Sequence, residues 1–361
     1  MTVTTVHPEN DLQHRQRCGW VGVDIGTSTI KLAQVERHHG RWQLRFGQIL
    51  PRPPHEWDPS LTGLRDILHT TLQGSHRWRS RPAACLLPTP LSELRVLDLP
   101  SAPDPELLHL VDAELNYADD RAPGDYQAGF WRTNPCRSHQ ANCLVHVIST
   151  PTDAAQTAAS ELNRAKLQCQ AIDTHPFAAA RAIAMAPPTT SAEIIVAVDW
   201  GFDAIWLTIV RHGTPCFTRL LSGCGLRKVV ANLQTGLKLT HEEACQLLGK
   251  YGLQTDDDMA AGEIQKTICN LTKEPVKQAV QELQRTLQFI AYEHPELRPQ
   301  HVCLFGGGAA LKGTDQLLAQ QLALPTTAWS LSTQATSAAT PFGHQAVLGK
   351  AIALSAIPLM A

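Results

Sequence analysis

The sequence predicts an α/β protein made of two similar lobes that face each other across a cleft. Three observations carry this. A strand–turn–strand pattern occurs twice at an offset of 175 residues, superposing Asp24 on Asp199, Gly26 on Gly201, Leu32 on Leu207 and Val35 on Val210. A repeat of that length is a whole lobe, not a solenoid unit. Three glycine-rich turns, at Gly26, Gly201 and Gly306, each follow an apolar strand. The 361 residues, 43% of them hydrophobic, are about two domains' worth of chain with enough apolar content for a real core.

Composition narrows the function classes. Lys plus Arg number 31 against 33 Asp plus Glu, a net charge of −2, which gives no global field for nucleic acid or anionic lipid. No apolar run reaches the roughly 18–20 residues that span a bilayer. Met1 to Arg17 is polar, lacks the apolar stretch of a secretory leader, and residues 1–18 read as a disordered tail. The ten cysteines form no CxxC pair, so they read as reduced thiols of a cytosolic protein, not as a zinc or redox site.

The elements follow in order. Trp20 to Ile25 is an apolar strand, Gly26 to Thr29 its turn and Ile30 to Val35 the return strand. Gly40 turns the chain into a third strand, Trp42 to Ile49, which Pro51 to Pro54 ends. Leu61, Leu64, Ile67 and Leu68 set a helix over residues 61–72. Residues 85–170 have their own character and read as an inserted subdomain: a strand at 94–99, a helix at 105–117 with Leu107, Leu108, Val111 and Leu115 on one face, a polar loop at 119–140, a strand at 143–149, a helix at 153–166 and a strand at 169–172. Pro187-Pro188-Thr189-Thr190 links the lobes. In the second lobe, helices are expected at 225–237, at 240–249 behind a Thr240–Glu243 capping box, and from about 274 to 292. A strand at 301–305 runs into Gly306-Gly307-Gly308, followed by a helix at 314–322 and a closing helix at 341–354. The resulting division is 19–84 with 171–190 for lobe I, 85–170 for the insertion, 191–224 with 297–361 for lobe II, and 225–296 for a helical subdomain.

The turns carry the candidate chemistry. The first is Asp24-Ile25-Gly26-Thr27-Ser28-Thr29, with Lys31 two residues on; the second is Asp199-Trp200-Gly201-Phe202-Asp203; the third is Gly306-Gly307-Gly308-Ala309. Backbone N–H groups in tight turns converge on phosphate oxygens, and glycine permits the close approach. Thr27, Ser28 and Thr29 add hydroxyl donors. Asp24 and Asp199, at strand ends, suit a hydrated Mg²⁺ held through water. The third turn opens a helix, whose N-terminus favours negative charge, and its small surface leaves room for a base or ribose.

Taken together, two phosphate hairpins and a GGG turn resemble the actin-like ATPase (ASKHA) superfamily. Within it, VGVDIGTSTIKLAQV, ELNRAKLQCQAIDTHPFAAARA, FTRLLSGCG, THEEA, ELQRTLQFI and LFGGGAALKGTDQLLAQQLALP resemble the type IV pilus assembly PilM family, which is related to the cell-division protein FtsA. The likeness runs from residue 20 to 354. It implies a bilobed fold with duplicated ribonuclease-H-like lobes and a 1C-type inserted subdomain, and an ATP and Mg²⁺ site at the turns. FTRLLSGCG falls where the family has second-lobe helices. The resemblance also implies a cytoplasmic scaffold at the inner face of the inner membrane. Its partner is the N-terminal peptide of a PilN-like bitopic membrane protein, bound between subdomains 1A and 1C, and its membrane contact comes only through that partner.

The departures point to a degraded nucleotide site. Phe202-Asp203-Ala204-Ile205 lacks the hydroxyl of the second hairpin and brings a carboxylate towards the phosphates. Ala244-Cys245-Gln246-Leu247-Leu248 stands where the family offers Glu and Lys to the nucleoside, with Lys250 two residues further on, and His175 stands before Pro176 where related ATPases carry Glu. Each hydrogen bond lost to a charged phosphate costs about 1.5–3 kcal/mol. Losing two or three weakens binding roughly 10²–10⁶-fold. The expectation is weak ATP binding or none and little hydrolysis, hence a scaffold that is a pseudo-ATPase or a very slow ATPase. Leu94–Leu99 and Leu107–Leu115 are the candidate groove walls, and Arg121, Arg132 and Arg137 could meet an acidic or phospholipid surface. Two other readings stand beside this one: a sugar- or acetate-type kinase with Asp173 as base, and an FtsA-like division protein.

Overall fold

The computed structural model of the chain describes residues 18–52, 61, 63–72, 81–119, 124–132, 142–186, 192–253, 262–331 and 345–360. The tail before Cys18, Arg121, Arg137, Pro187–Thr190 and Pro341 lie outside these. Lobe I begins with β1 (Val21–Ile25), β2 (Thr29–His38) and β3 (Arg41–Pro51). Every β1 residue is buried, as an apolar run flanked on both sides requires. The hairpin tip between β2 and β3 is His39-Gly40, with φ of 48° and 77°. Positive φ at both positions matches the twist of the paired strands. Helix α1 (Leu64–Leu72) then returns the chain to β4 (Arg81–Leu86), parallel to β1.

The insertion follows: β5 (Glu93–Pro100), α2 (Asp104–Asp119), β6 (Tyr126–Arg132) and β7 (Asn142–Pro151). The strands form a small antiparallel sheet in the order β5-β7-β6, packed on α2 through Leu99, Leu107, Val111, Leu115, Val145 and Val147. The insertion is therefore narrower than 85–170. Helix α3 (Thr152–Arg164) packs Ala158 and Leu162 into the lobe I core, and β8 (Leu167–Asp173) is the fifth strand of the lobe I sheet, β3-β2-β1-β4-β8. The expected polar loop at 119–140 contains β6. Helix α4 (His175–Met185) completes the lobe.

Lobe II repeats the plan. Strands β9 (Ile194–Trp200), β10 (Ala204–Arg211) and β11 (Thr214–Ser222) form the meander. FTRLLSG is thus mostly strand, where the resemblance placed helix. The repeat extends to irregularities: the β2–β3 register shifts at Gln34/Val35 and the β10–β11 register at Ile209/Val210, again 175 residues apart. The second hairpin tip is also His-Gly, His212-Gly213, with φ of 49° and 76°. Three helices follow, α5 (Leu226–Leu237), α6 (His241–Tyr251) and α7 (Glu263–Glu293). The Thr240–Glu243 capping box starts α6 as expected. Helix α7 starts well before residue 274, because Pro275 lies inside it. The carbonyl of Leu271, which a residue 275 N–H would otherwise bond, accepts from Asn232 Nδ2 at 3.0 Å. The lobe closes with β12 (His301–Phe305), the one-turn α8 (Gly306–Ala309), α9 (Thr314–Leu322), β13 (Thr326–Ala328), α10 (Gln345–Ser355) and α11 (Ile357–Met360). The sheet order β11-β10-β9-β12-β13 reproduces that of lobe I.

The lobes are joined by α4 and α10. Every residue of α10 from Ala346 to Ser355 is buried, and the helix lies against β1 and β2 of the other lobe. Gly22 and Gly19 permit this, since a Cβ on either would overlap the backbone of Ala351 or Ser355. Ser355 Oγ donates to Trp20 O at 2.6 Å and accepts from Val35 N at 2.9 Å. Trp329 Nε1 donates to Ala182 O at 2.8 Å.

Candidate functional site in the interlobe cleft

The three turns meet at one cleft. The first two are closed alike: Gly26 N donates to Thr29 O and Gly201 N to Ala204 O, each at 3.0 Å and again 175 residues apart. Asp24, Gly26, Thr27, Ser28, Thr29, Lys31, Asp199, Gly201, Gly306 and Gly307 all line the cavity. Gly308 and Ala309 do not. Gly306 and Gly308 have a structural cause: a Cβ on Gly306 would strike Asp199 and Trp200, and one on Gly308 would meet the Trp200 side chain. Of the three, Gly307 has the least crowded Cβ position, with the Leu226 side chain its nearest neighbour at 3.4 Å. The first turn is braced from behind by Arg52, whose backbone N donates to Ser28 O and whose Nη1 donates to Gly26 O at 3.1 Å.

The floor of the cleft holds a residue the sequence reading passed over. Lys350, from the middle of α10, donates from Nζ to Asp199 Oδ2 at 2.5 Å and to His175 Nδ1 at 3.0 Å. It stands 3.7 Å from Asp24 Oδ2, and Lys31 Nζ stands 3.5 Å from the same oxygen. His175 Nε2 donates to Leu87 O at 3.2 Å, which leaves Nδ1 to accept. The ring stacks on Trp206, with centroids 4.9 Å apart and planes at 13°. Trp206 Nε1 in turn donates to Thr89 Oγ1 at 3.1 Å. Burial alone would raise the Asp24 pKa, but the charges of Lys31 and Lys350 outweigh it and hold the group at about 2. Burial, then the Lys350 charge, holds His175 down at about 3, so the imidazole is neutral. For Lys350, burial opposes the charge, and Asp199 and Asp24 more than restore it.

The second turn is also occupied by its own side chains. Asp203 Oδ2 accepts from the Thr27 hydroxyl across the cleft, and Asp203 Oδ1 accepts from Arg227 Nε at 2.7 Å. The Arg227 guanidinium lies 4.8 Å over the Phe202 ring. The α6 face towards the cleft presents Cys245 and Leu248, with Ala244 buried. Lys250 lies over Tyr251 at 5.1 Å and is not among the cavity-lining residues.

A hydrated Mg²⁺ does not fit this donor set. Both aspartates already hold an ammonium, and two carboxylates with two ammoniums and a neutral imidazole sum to zero. Like unit charges about 4 Å apart repel by roughly 4 kcal/mol near a protein surface, and a divalent ion beside either lysine meets twice that. Among the described residues no group of three or more His, Cys, Asp or Glu is placed to hold a metal ion. A phosphate chain would likewise meet the Asp203 carboxylate between the two turns.

Other expected site residues are committed elsewhere. Asp173 pairs with Arg181 at 2.6 Å and accepts from Thr174 N, so it does not face the cleft as a base. Arg132 is bound to Asp104 and to Ala102 O. Leu107, Val111 and Leu115 are core, while Val96 and Leu108 are exposed. Lys350 carried one sequence signal, a lone charge in an apolar closing segment.

The chain matches the family of type IV pilus assembly proteins PilM over residues 22–342. Among solved structures, the PilM–PilN type IV pilus biogenesis complex matches with a TM-score of 0.73 at 20% identity, covering 94% of this chain and 98% of that one. The ethanolamine utilization protein EutJ from Carboxydothermus hydrogenoformans matches with a TM-score of 0.51 at 15% identity, covering 93% and 89%. At these identities both likenesses show the bilobed actin-like fold. No helix among the described residues is long and apolar enough to cross a membrane.

Proposed function

Because the chain belongs to the type IV pilus assembly protein PilM family, we propose that it is a cytoplasmic scaffold of a pilus assembly machine. In this reading it recruits the N-terminal peptide of a PilN-like protein and is held at the inner membrane through that partner. The observation that carries this is the whole-chain likeness to the PilM chain of a PilM–PilN complex, at 98% coverage of that chain. The insertion supplies the docking surface. β5 is an edge strand of its sheet, so its backbone groups face outward and can pair with an extended peptide. Exposed Val96 on β5 and Leu108 on α2 offer apolar purchase beside it.

The nucleotide site is weak in this reading, as the Asp203 carboxylate and the self-neutralised floor of the cleft support. The kinase alternative loses its base, since Asp173 is paired with Arg181. The FtsA-like alternative is set aside on the family match, which is to PilM over residues 22–342. The test is fluorescence anisotropy with a labelled PilN-like N-terminal peptide. Val96→Asp and Leu108→Asp should each weaken binding at least about tenfold, equivalent to about 1.4 kcal/mol. Unchanged affinity in both variants, which probe the two sides of the β5 edge, would remove the groove from that edge, and no binding by the wild-type chain would remove the partner.

A further inference from the structure

The partner reading makes no use of the buried charges on the cleft floor, and the nucleotide motifs do not account for them. We infer that Lys350 is the resident cation of this cleft: an internal ammonium that bridges the carboxylates of the two lobes, so that the cleft stays closed without a divalent metal.

The geometry follows from the repeat. Asp24 and Asp199 are equivalent positions of the two lobes, and His175 and Lys350 lie on α4 and α10, the helices that follow the fifth strand of each sheet. The equivalent helices α4 and α10 pack together where the lobes join. A side chain projecting from that joint is placed to reach both aspartates, and Lys350 Nζ lies 2.5 Å from Asp199 and 3.7 Å from Asp24. His175, from the start of α4, contributes a lone pair at 3.0 Å in place of a second charge. Lys350 is itself buried, as are its helix neighbours Val347, Gly349, Ala351 and Leu354.

A second internal ion does the same at the turns. Asp203 accepts from Thr27 of lobe I and pairs with Arg227 of its own lobe, so a built-in anion ties the two hairpins together. A cation and an anion from the chain thus stand where a metal and a phosphate would. The inference does not depend on which partner binds the insertion.

Thermal unfolding tests it. The wild-type chain is melted in EDTA, in millimolar MgCl₂, and with ATP in each. The expected result is that magnesium shifts neither the free midpoint nor the midpoint with ATP. Lys350→Ala, which leaves the two aspartates facing each other, should acquire a magnesium-dependent rise of about 2–4 °C, and calorimetric titration of that variant with MgCl₂ should show binding absent from the wild type. A magnesium-dependent shift in the wild-type chain overturns the inference. So does a folded Lys350→Ala that responds to magnesium no more than the wild type. Should Lys350→Ala fold only with magnesium present, the inference is upheld; should it fold in neither condition, the wild-type melts decide.

Discussion

At His175, three contacts fix both tautomer and charge. Leu87 O takes the Nε2 proton, Lys350 donates to Nδ1, and Trp206 covers the ring. With the pKa lowered from 6.5 to about 3, the unfolded chain binds the proton that the folded chain refuses. Stability from this group is therefore complete above about pH 6.5 and is lost as pH falls towards 3, by about 1.4 kcal/mol per pH unit. His146, held down to about 4 by burial and then by His294, adds in the same direction over the upper part of that window. Asp24 has the same sign at lower pH: its contribution holds above about 3.8 and fades towards 2. We expect His175→Gln, which keeps an acceptor for Lys350 and a donor for Leu87 but does not titrate, to reduce the slope of unfolding free energy against pH by about 1.4 kcal/mol per unit between pH 6 and 4. Urea titrations at stepped pH measure it, and an unchanged slope would show that His175 is already charged in the folded chain. The sequence made His175 and Asp203 legible as departures from a family pattern, but not what they do. Their partners Lys350, Thr27 and Arg227 lie 175, 176 and 24 residues away. No local period reports such contacts.

Among the elements, α7 shows where local patterning misleads. Its apolar face was legible from Val276 to Ile290 and set the expected start at about 274, beside Pro275, a residue type that suits the first turn of a helix. Tertiary contact rescues the interior proline instead. Asn232 on α5 donates to the freed Leu271 carbonyl, and Gly236 lets the Leu271 side chain approach α5 closely. A double-mutant cycle isolates the effect. Asn232→Ala should cost about 0.5–1.5 kcal/mol in the wild-type chain, but close to nothing beside Pro275→Ala, because the new N–H of residue 275 takes over the same carbonyl. Equal costs in both backgrounds would mean the Asn232 bond does not compensate for the proline. The strand–turn–strand units were legible in both lobes because fully buried apolar runs ending in Gly turns leave a strong signal. The insertion boundaries were not, because α3 and β8 look the same in sequence whether they pack on α2 or on lobe I. β6 was hidden by the polarity of the surrounding loop: Gln127, Gly129 and Arg132 dilute its alternation.

For the whole molecule, the question is whether the cleft reports to the insertion. A physical connection exists. Trp131 on β6 donates from Nε1 to Pro215 O on β11 at 3.0 Å, and its ring meets His146 and Phe177, so the insertion touches lobe II as well as lobe I. Movement of one lobe against the other would therefore be felt at the docking sheet. Coupling also needs two states that a ligand can bias, since a ligand shifts an equilibrium only by its differential affinity for them. With Lys350 bridging the aspartates and Asp203 bridging the turns, the closed state is already formed and nucleotide has little left to change. The peptide dissociation constant should then agree within about twofold with and without Mg-ATP, a coupling below about 0.4 kcal/mol. Replacing both internal ions, with Lys350→Ala and Asp203→Ser together, vacates the metal position and restores a hydroxyl to the second hairpin. That variant should bind Mg-ATP and acquire a dependence of peptide affinity on nucleotide. By linkage the peptide must change its ATP affinity by the same factor, so calorimetry run in both orders checks the value against itself. A wild-type chain whose peptide affinity already follows Mg-ATP would show that the internal ions yield to nucleotide and that the cleft is a working switch.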